Sequence, residues 1–314
     1  MMQNFRISEA LRCVLLNTPR GPNLACPRNG LSGASLLKNA AFLKEALGQR
    51  RDRVTLARWD GSQFRGLVSA HARRGYRVWE VDRFFISGEP PKSGANSSWA
   101  IDTAALELLE GVIEAVGTRY AERIFLRLPS ESSFVLLARR AGFFPSFEEL
   151  LLQRRESKLG PAGAPAPAGL TERLPQDDYP LFQLFSAATP PAVRSALGLT
   201  FDQWRDSYEP HSRGRREWVV CSDGRITGWL GHSRGRQAKE AEVLVHPDSS
   251  DLCRGLVELA LAHGGRQRWL VPDYQTLAAD ILLGHGFYET ARFTILIKSM
   301  AVPVMSLGMA PVEA

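Results

Sequence analysis

Two carboxylates in the first half of the chain have types and a spacing that could do chemistry. Glu80 and Asp82 are two residues apart in a run rich in apolar and aromatic residues, which predicts a strand. Side chains alternate between the faces of a strand, so both carboxylates share one face and could take a proton from a nucleophile. The alternative is that they only form ion pairs with nearby arginines, which are Arg73, Arg74 and Arg77.

A short polar loop further along could hold phosphate. Its candidate binding residues are Lys92, Ser93, Gly94, Asn96, Ser97 and Ser98. The loop leads into a predicted helix, where backbone N–H groups and the helix dipole favour an anion, although an ordinary surface loop fits as well. Residues 1–158 carry a net charge of +8 and residues 159–314 one of −2. This asymmetry predicts an anionic partner for the first half, such as a nucleotide-like cofactor, a nucleic acid or an acidic protein face, with a solvated arginine-rich surface as the alternative.

The second half offers three weaker candidates. Glu242 lies on a predicted strand and His246 at its end, where a histidine could act as a base, although His-Pro at a strand end is typical of a turn. Cys253 falls in the first turn of a helix, where the dipole could lower its pKa. A small buried core residue is the simpler interpretation of this cysteine.

Composition excludes several other classes of protein. The four cysteines form no CxxC pair and no regular spacing with the histidines, so neither a disulfide framework nor a metal site is expected. Residues 1–20 are too polar for a secretory signal, and no stretch is long and apolar enough to span a membrane. We therefore expect a soluble cytoplasmic protein without a membrane partner. Arginine-rich runs at predicted loops do not favour a nucleic-acid partner, because no groove-reading motif accompanies them.

A Pro/Ala/Gly tract at residues 157–169 marks the domain boundary. It predicts an N-terminal domain over 1–156 and a C-terminal domain over 170–314. The same succession of elements appears on both sides, namely a hairpin with Asp-Gly at its turn, a strand, a helix, a strand ending in proline, a helix ending in Gly-Phe and a closing strand. The predicted elements of the first half are 54–59, 64–72, 77–86, 101–116, 124–128, 132–141 and 147–153. Those of the second half are 218–221, 226–232, 241–246, 252–262, 269–271, 275–285 and 293–297.

This order of elements resembles the GNAT fold (GCN5-related N-acetyltransferase), and the paired endings Gly142-Phe143 and Gly286-Phe287 add weight to the resemblance. The fold class it implies is α/β, an α+β mixed sheet in two tandem GNAT-like acyl-CoA N-acyltransferase domains. We expect each closing strand to complete the sheet of its own half.

The resemblance also implies where acyl-CoA would bind. Family members hold it where the fourth and fifth strands splay apart, with a Q/R-x-x-G-x-G/A loop on the pyrophosphate. The matching stretch of the first half, residues 92–102, has lost that motif, and the stretch of the second half, residues 246–255, is shorter and contains Asp248 and Asp251. These carboxylates would repel a pyrophosphate, so we expect the first half to keep whatever affinity remains.

The usual catalytic tyrosine of the family is missing. Counting back five residues from the Phe of Gly-Phe gives Ala138 and Leu282, neither of which can donate a proton. With loop and tyrosine both lost, we expect the first splay to be filled or narrowed, with Trp79, Trp99 or Phe85 as the candidates.

Two functions remain open. The first is an N-acyltransferase that uses acetyl-CoA or another acyl-CoA and no metal to acylate a small amine or a protein amine, with Glu80 or Asp82 as the base. The second is a catalytically inactive tandem GNAT-like protein that binds a metabolite or a protein partner. The sequence leaves the acyl acceptor and the oligomeric state open.

Overall fold

One mixed sheet of twelve strands runs through the protein. The structure, a computed structural model, describes residues 2–4, 22–28, 31, 52–87, 95–154, 166–209, 215–234, 239–262 and 264–301, without the side chains of 2–4, 95–100 and 234. The prediction of an α/β fold with a mixed sheet is confirmed. All described strand pairs are antiparallel except β4–β5 and β10–β11, one parallel pair in each half.

The fourteen predicted elements overlap their predicted ranges, and the strands at 2–4 and 170–172 and the three helices between 178 and 207 are additional. Those of the first half are β1 (Met2–Asn4), β2 (Arg53–Asp60), β3 (Gln63–Ala72), β4 (Val78–Ile86), α1 (Ala95–Gly117), β5 (Arg123–Pro129), α2 (Phe134–Arg140) and β6 (Phe144–Gln153). Those of the second half are β7 (Leu170–Glu172), α3 (Asp178–Ala188), α4 (Pro191–Leu197), α5 (Phe201–Ser207), β8 (Arg216–Ser222), β9 (Arg225–Arg234), β10 (Lys239–Val245), α6 (Leu252–Ala262), β11 (Gln267–Pro272), α7 (Thr276–Gly284) and β12 (Tyr288–Ser299). The helix α1 begins six residues before its predicted start at residue 101.

The expectation that each closing strand completes its own half is wrong, because the two closing strands are exchanged. The sheet order is β1-β2-β3-β4-β5-β12-β6-β11-β10-β9-β8-β7. Strand β12, from the second half, pairs with β5, and β6, from the first half, pairs with β11. The two exchanged strands also pair with each other at the centre, so the two halves share one continuous sheet.

Glycines in left-handed backbone conformations end the repeated helices and form the hairpin turns. Gly142 and Gly286 have φ values of 86° and 80°, as predicted for the Gly-Phe endings. Asp223 and Gly224 both have positive φ, which is the predicted type I′ turn. The first hairpin differs, because its two-residue loop is Gly61-Ser62 and only Gly61 has positive φ, the pattern of a type II′ turn.

Each half has its own helix-covered core. Helices α1 and α2 cover β2 to β5, with Leu108, Leu109 and Val112 fully buried. Helices α6 and α7 cover β9 to β11 around the buried Leu256 and Leu282. Helices α3 to α5 pack against the opposite face of the second half, and α4 also reaches apolar residues of the first half. On this face of the sheet, the helices of the second half contact the first half.

Candidate functional site

Each half contains a pair of parallel strands that separate partway along. The ladder between β4 and β5 ends at Val81–Leu126, and the one between β10 and β11 ends at Ala241–Trp269. Beyond those rungs the strands diverge, which opens a gap in the sheet. The molecule therefore has two splays of the same topology, and their contents differ.

The chain itself fills the first splay. The Leu24 N–H donates to the carbonyl of Phe84 on β4 (2.8 Å), and the Cys26 N–H donates to that of Arg127 on β5 (2.9 Å). The side-chain amide of Asn23 donates to the carbonyl of Asp82 (2.8 Å) and accepts from the Phe84 N–H (2.8 Å). We call residues 22–28 the plug segment, because they bridge the two diverging strands as a bound ligand would.

The expectation of a filled first splay is thus confirmed, although the filling residues differ from those we expected. The aromatic side chains of Trp79 and Phe85 are buried, whereas the backbone of the plug segment lies between the strands. The side chain of Trp99 lies outside the described residues. Ala25 of the plug segment is 2% exposed and belongs to the apolar core of the first half. An acyl-CoA could enter this splay only by displacing that segment.

Both predicted catalytic carboxylates are engaged by basic side chains. Glu80 is 4% exposed and lies 3.4 Å from Arg73, and burial raises the pKa of its carboxyl group. Arg53 donates two hydrogen bonds to Asp82 (3.0 and 2.9 Å). Burial opposes the charge of Asp82, but hydrogen bonding to His71 and the guanidinium of Arg53 lower its pKa to about 2. The ion-pair alternative therefore describes Glu80, which contacts the predicted Arg73, whereas Asp82 pairs with Arg53, which is not among the predicted partners. A role of either carboxylate as a base stays a prediction.

The predicted phosphate loop falls largely outside the described residues. Lys92, Ser93 and Gly94 are not among them. Asn96, Ser97 and Ser98 lie in the first turns of α1, with their side chains undescribed. Their binding role stays a prediction.

The second splay contains a cavity of about 200 Å³, which we call the splay cavity. Its walls include Val243 and Val245 of β10, Cys253 of α6, Tyr274 before α7 and Ala278 within it. The expectation that the first half keeps whatever acyl-CoA affinity remains stays a prediction, and the contents of the two splays argue against it, because the first has an occupant from the chain and the second has this cavity.

The backbone of β10 presents hydrogen-bonding groups to the splay cavity. Lys239 N–H donates to the carbonyl of Arg266, on the β11 side, and His246 N–H donates to that of Thr227, on the β9 side. Backbone groups alternate along a strand, so those of Val243 and Val245 point toward β11 beyond its last rung. An extended ligand with amide groups could pair with this edge as Asn23 and Leu24 pair with β4.

A second cavity, also of about 200 Å³, lies where the two halves meet. This central cavity shares Val243, Leu244, Tyr274 and Gln275 with the splay cavity, so the two spaces adjoin. Most of its wall is apolar, including Phe125 from the first half and Phe185, Trp204 and Trp229 from the second. A ligand could therefore reach from the second splay into an apolar chamber built by both halves.

Charged groups at one side of the central cavity form a buried ion-pair cluster around Glu209. Arg73 and Arg127 donate to one carboxylate oxygen of Glu209 (3.0 and 2.7 Å), and Arg28 donates to the other (2.7 Å). Although burial opposes charge, these guanidinium groups hold the pKa of Glu209 well below its usual range. Arg28 also pairs with Glu242. The plug segment is thereby connected to the second half.

The exchanged strand β6 brings Glu149 to the wall of the central cavity. The β6–β11 register sets Glu149 opposite Pro272, and its Oε2 accepts from Arg127 Nε (2.8 Å). Burial, followed by the Glu149 carboxylate, raises the pKa of Tyr274 above its ordinary value. The Tyr274 phenol therefore stays protonated at neutral pH, and it lines both cavities. The pair supplies a proton donor and a carboxylate beside one space.

The remaining candidates of the second half have ordinary roles in the described structure. His246 Nδ1 accepts from the Asp248 N–H (3.2 Å), which is the turn alternative. Burial raises the pKa of the Cys253 thiol to about 11, so Cys253 is a core residue and not an activated thiol. In contrast to these two, Glu242 lines the central cavity, where Arg215 Nη2 donates to its carboxylate (2.9 Å).

Sequence reasoning missed Glu149, Tyr274 and the plug segment. Tyr274 follows the predicted strand 269–271, but nothing in its spacing marks it as a donor. Within the described ranges no cluster of His, Cys, Asp or Glu could hold a metal ion. Of the helices that the structure describes, none is long and apolar enough to cross a membrane.

Comparison with known proteins establishes the fold. No family model matches the chain, and no curated protein matches it. The solved GCN5-related N-acetyltransferase from Sphaerobacter thermophilus is 15% identical over 95% of each chain, with a TM-score of 0.54. The tandem GNAT protein of the clavulanic acid biosynthesis pathway is 13% identical over 95% of this chain and 98% of its own (TM-score 0.47). The N-myristoyltransferase of Saccharomyces cerevisiae with bound myristoyl-CoA is 11% identical over 96% and 83% (TM-score 0.48).

The likeness to the Sphaerobacter thermophilus protein shows that this chain has the GNAT fold. Its single mixed sheet has one parallel strand pair in each half of the chain.

Proposed function

We propose that this protein is an acyl-CoA-dependent N-acyltransferase in which the second half binds acyl-CoA and the first half completes the site. The observation that carries the proposal is the contrast between the two splays. The edge of β4 is hydrogen-bonded to Asn23 and Leu24, whereas the edge of β10 at Val243 and Val245 faces a cavity. GNAT members bind acyl-CoA at this topological position, and its amide-containing arm matches the backbone groups of β10.

The chemistry of the site fits transfer of an acyl group to an amine. The amine needs a base, and the departing thiolate needs a proton. Glu149 is the favoured base because its ion pair with Arg127 engages one carboxylate oxygen, Oε2. In Glu242, by contrast, each of the two carboxylate oxygens is paired with an arginine. Tyr274 is the favoured acid because burial keeps its phenol protonated. In this arrangement Glu80 and Asp82 support the scaffold of the first half.

The phosphate end of the site fits acyl-CoA less well than the splay does. The backbone at the N-terminus of α6 faces this end, but Asp248 and Asp251 are exposed there and repel a pyrophosphate. In the proposal, most of the affinity for acyl-CoA therefore comes from contacts with its amide-containing arm and its acyl group.

The acceptor in this proposal is a small amine. A chamber of about 200 Å³ accommodates a small molecule or the end of a side chain. We place the reaction in the cytoplasm, because the three described cysteines are unpaired, which fits a reducing compartment.

Calorimetric titration of the full chain with acetyl-CoA tests the proposal. We expect one molecule bound per chain, and we expect Ser250→Trp to abolish that binding, because Ser250 is exposed at the wall of the splay cavity. The matched control is Ser62→Trp in the exposed turn of the first hairpin, which should bind as the wild type does. Absence of binding by a folded wild-type chain would favour the non-catalytic hypothesis instead.

A further inference from the structure

Trp269 has an unpaired donor at the point where β10 and β11 separate. It stands opposite Ala241 on the last rung of the ladder and is 1% exposed. Its Nε1 atom is buried and has no hydrogen-bond partner in the part of the chain that the structure describes. Because an unpaired buried donor is costly, such a group in a native protein needs an explanation.

Trp269 lies beside the proposed acyl-transfer site. The odd residues of β11 face α6, where Gln267 Nε2 donates to the carbonyl of Ala260 (2.9 Å). Trp269 also lines the central cavity, which adjoins the splay cavity at Val243. The indole therefore lies beside the central cavity, where the proposal places the acyl group of the thioester.

The matching position of the first splay holds no such donor. Leu126 ends the β4–β5 ladder as Trp269 ends the β10–β11 ladder, and each lies three residues before the proline that ends its strand. A leucine cannot donate a hydrogen bond, and the plug segment fills that splay. The buried Trp79 of the first half donates its indole N–H to the Tyr76 carbonyl (2.7 Å). At the end of the ladder, therefore, the open splay has an indole donor where the filled splay has a leucine.

We propose that the Trp269 indole N–H donates a hydrogen bond to the carbonyl oxygen of the bound acyl thioester. When the amine nitrogen bonds to the carbonyl carbon, negative charge develops on that oxygen, and a fixed donor stabilises it. The indole keeps its proton throughout. As the carbon–sulfur bond breaks, the thiolate takes a proton from Tyr274, and the proton lost by the amine goes to Glu149. This role rests on the proposed function and adds an oxyanion donor to it.

Trp269→Phe tests the proposal, because it keeps an aromatic ring and removes the donor. We expect kcat to fall roughly 10²-fold while the Kd for CoA without an acyl group stays unchanged. The carbonyl stretch of bound [1-13C]acetyl-CoA should lie at higher frequency in Trp269→Phe than in the wild type. Trp79→Phe is the matched control and should change neither measurement.

A second measurement needs no variant. In the wild-type protein, the indole 1H–15N resonance of Trp269 should move downfield with acetyl-CoA and not with CoA. Acetyl-CoA that binds while this resonance and the carbonyl band of Trp269→Phe stay unchanged would overturn the role of Trp269 and leave the proposed function standing. Failure of the wild type to bind acetyl-CoA would overturn both.

Discussion

At the scale of single residues, the proposed chemistry uses Glu149 and Tyr274, which the sequence does not mark, in place of the two carboxylates that it does mark. Glu80 and Asp82 have the residue type and spacing of a base, but their partners are Arg73, Arg53 and His71. Glu149 looks like an ordinary strand residue in the sequence and lies beside β11 at the central cavity through strand exchange. A carboxylate can be recognised in a sequence, but its burial and partners depend on contacts between distant elements.

Glu149→Gln and Tyr274→Phe should each lower kcat roughly 10²-fold, because they remove the proposed base and acid. Both substitutions nearly preserve shape, so the Kd for acetyl-CoA should change little. Because the pKa of Tyr274 is raised above its ordinary 10.0, its proton-donating form persists through pH 9. We therefore expect no alkaline loss of kcat from this group between pH 7 and 9. Steady-state kinetics with a panel of small amines provides the measurement.

The matched controls are Glu148→Gln, next to the base, and Tyr288→Phe, an exposed tyrosine of β12. Both should retain wild-type kcat. Turnover by Glu149→Gln equal to that of Glu148→Gln would remove Glu149 from the mechanism.

At the scale of elements, the sequence predicts the strands and helices but not which strands pair. Apolar spacing and the turn residues locate β6 and β12 because those signals are local. Nothing local tells β6 to pair with β11 and not with its own half, since any strand edge offers the same backbone groups. The plug segment escapes prediction for a related reason, because its hydrogen bonds come from irregular backbone and from the side chain of Asn23.

The exchange predicts that neither half folds alone. Residues 1–160 would contain β6 without β11 and β12, and residues 161–314 would contain β12 without β5 and β6. We expect each fragment, expressed separately, to lack a cooperative thermal transition, and the two together to assemble and regain one. Circular dichroism melting and size-exclusion chromatography provide the measurement.

The matched control for the fragments is the full chain with a protease site inserted in the 157–165 tract and cleaved after folding. It should keep the Tm of the uncut protein. A fragment that melts cooperatively by itself near that Tm would show that the exchange is dispensable.

At the scale of the whole molecule, the charge asymmetry has a partner within the chain. The first half carries +8 and the second −2, and arginines of the first half pair with carboxylates of the second. Arg28, Arg73 and Arg127 contact Glu209, and Arg77 contacts Asp206. The anionic partner predicted for the first half is therefore, in part, the second half. In the proposed function, the half with the filled splay thus contributes cavity walls, Glu149 and ion pairs to the site in the other half.

The central claim is that acyl-CoA binds the edge of β10 and not that of β4. Hydrogen–deuterium exchange of the full chain, with and without saturating acetyl-CoA, tests it most directly. The account predicts slower exchange of the Val243 and Val245 amides when acetyl-CoA binds, because these amides lie beyond the ladder and gain a partner. The Phe84 amide should not change, since Asn23 already accepts its hydrogen bond. New protection at Phe84 or a loss of protection in the plug segment, with Val243 and Val245 unchanged, would contradict the account.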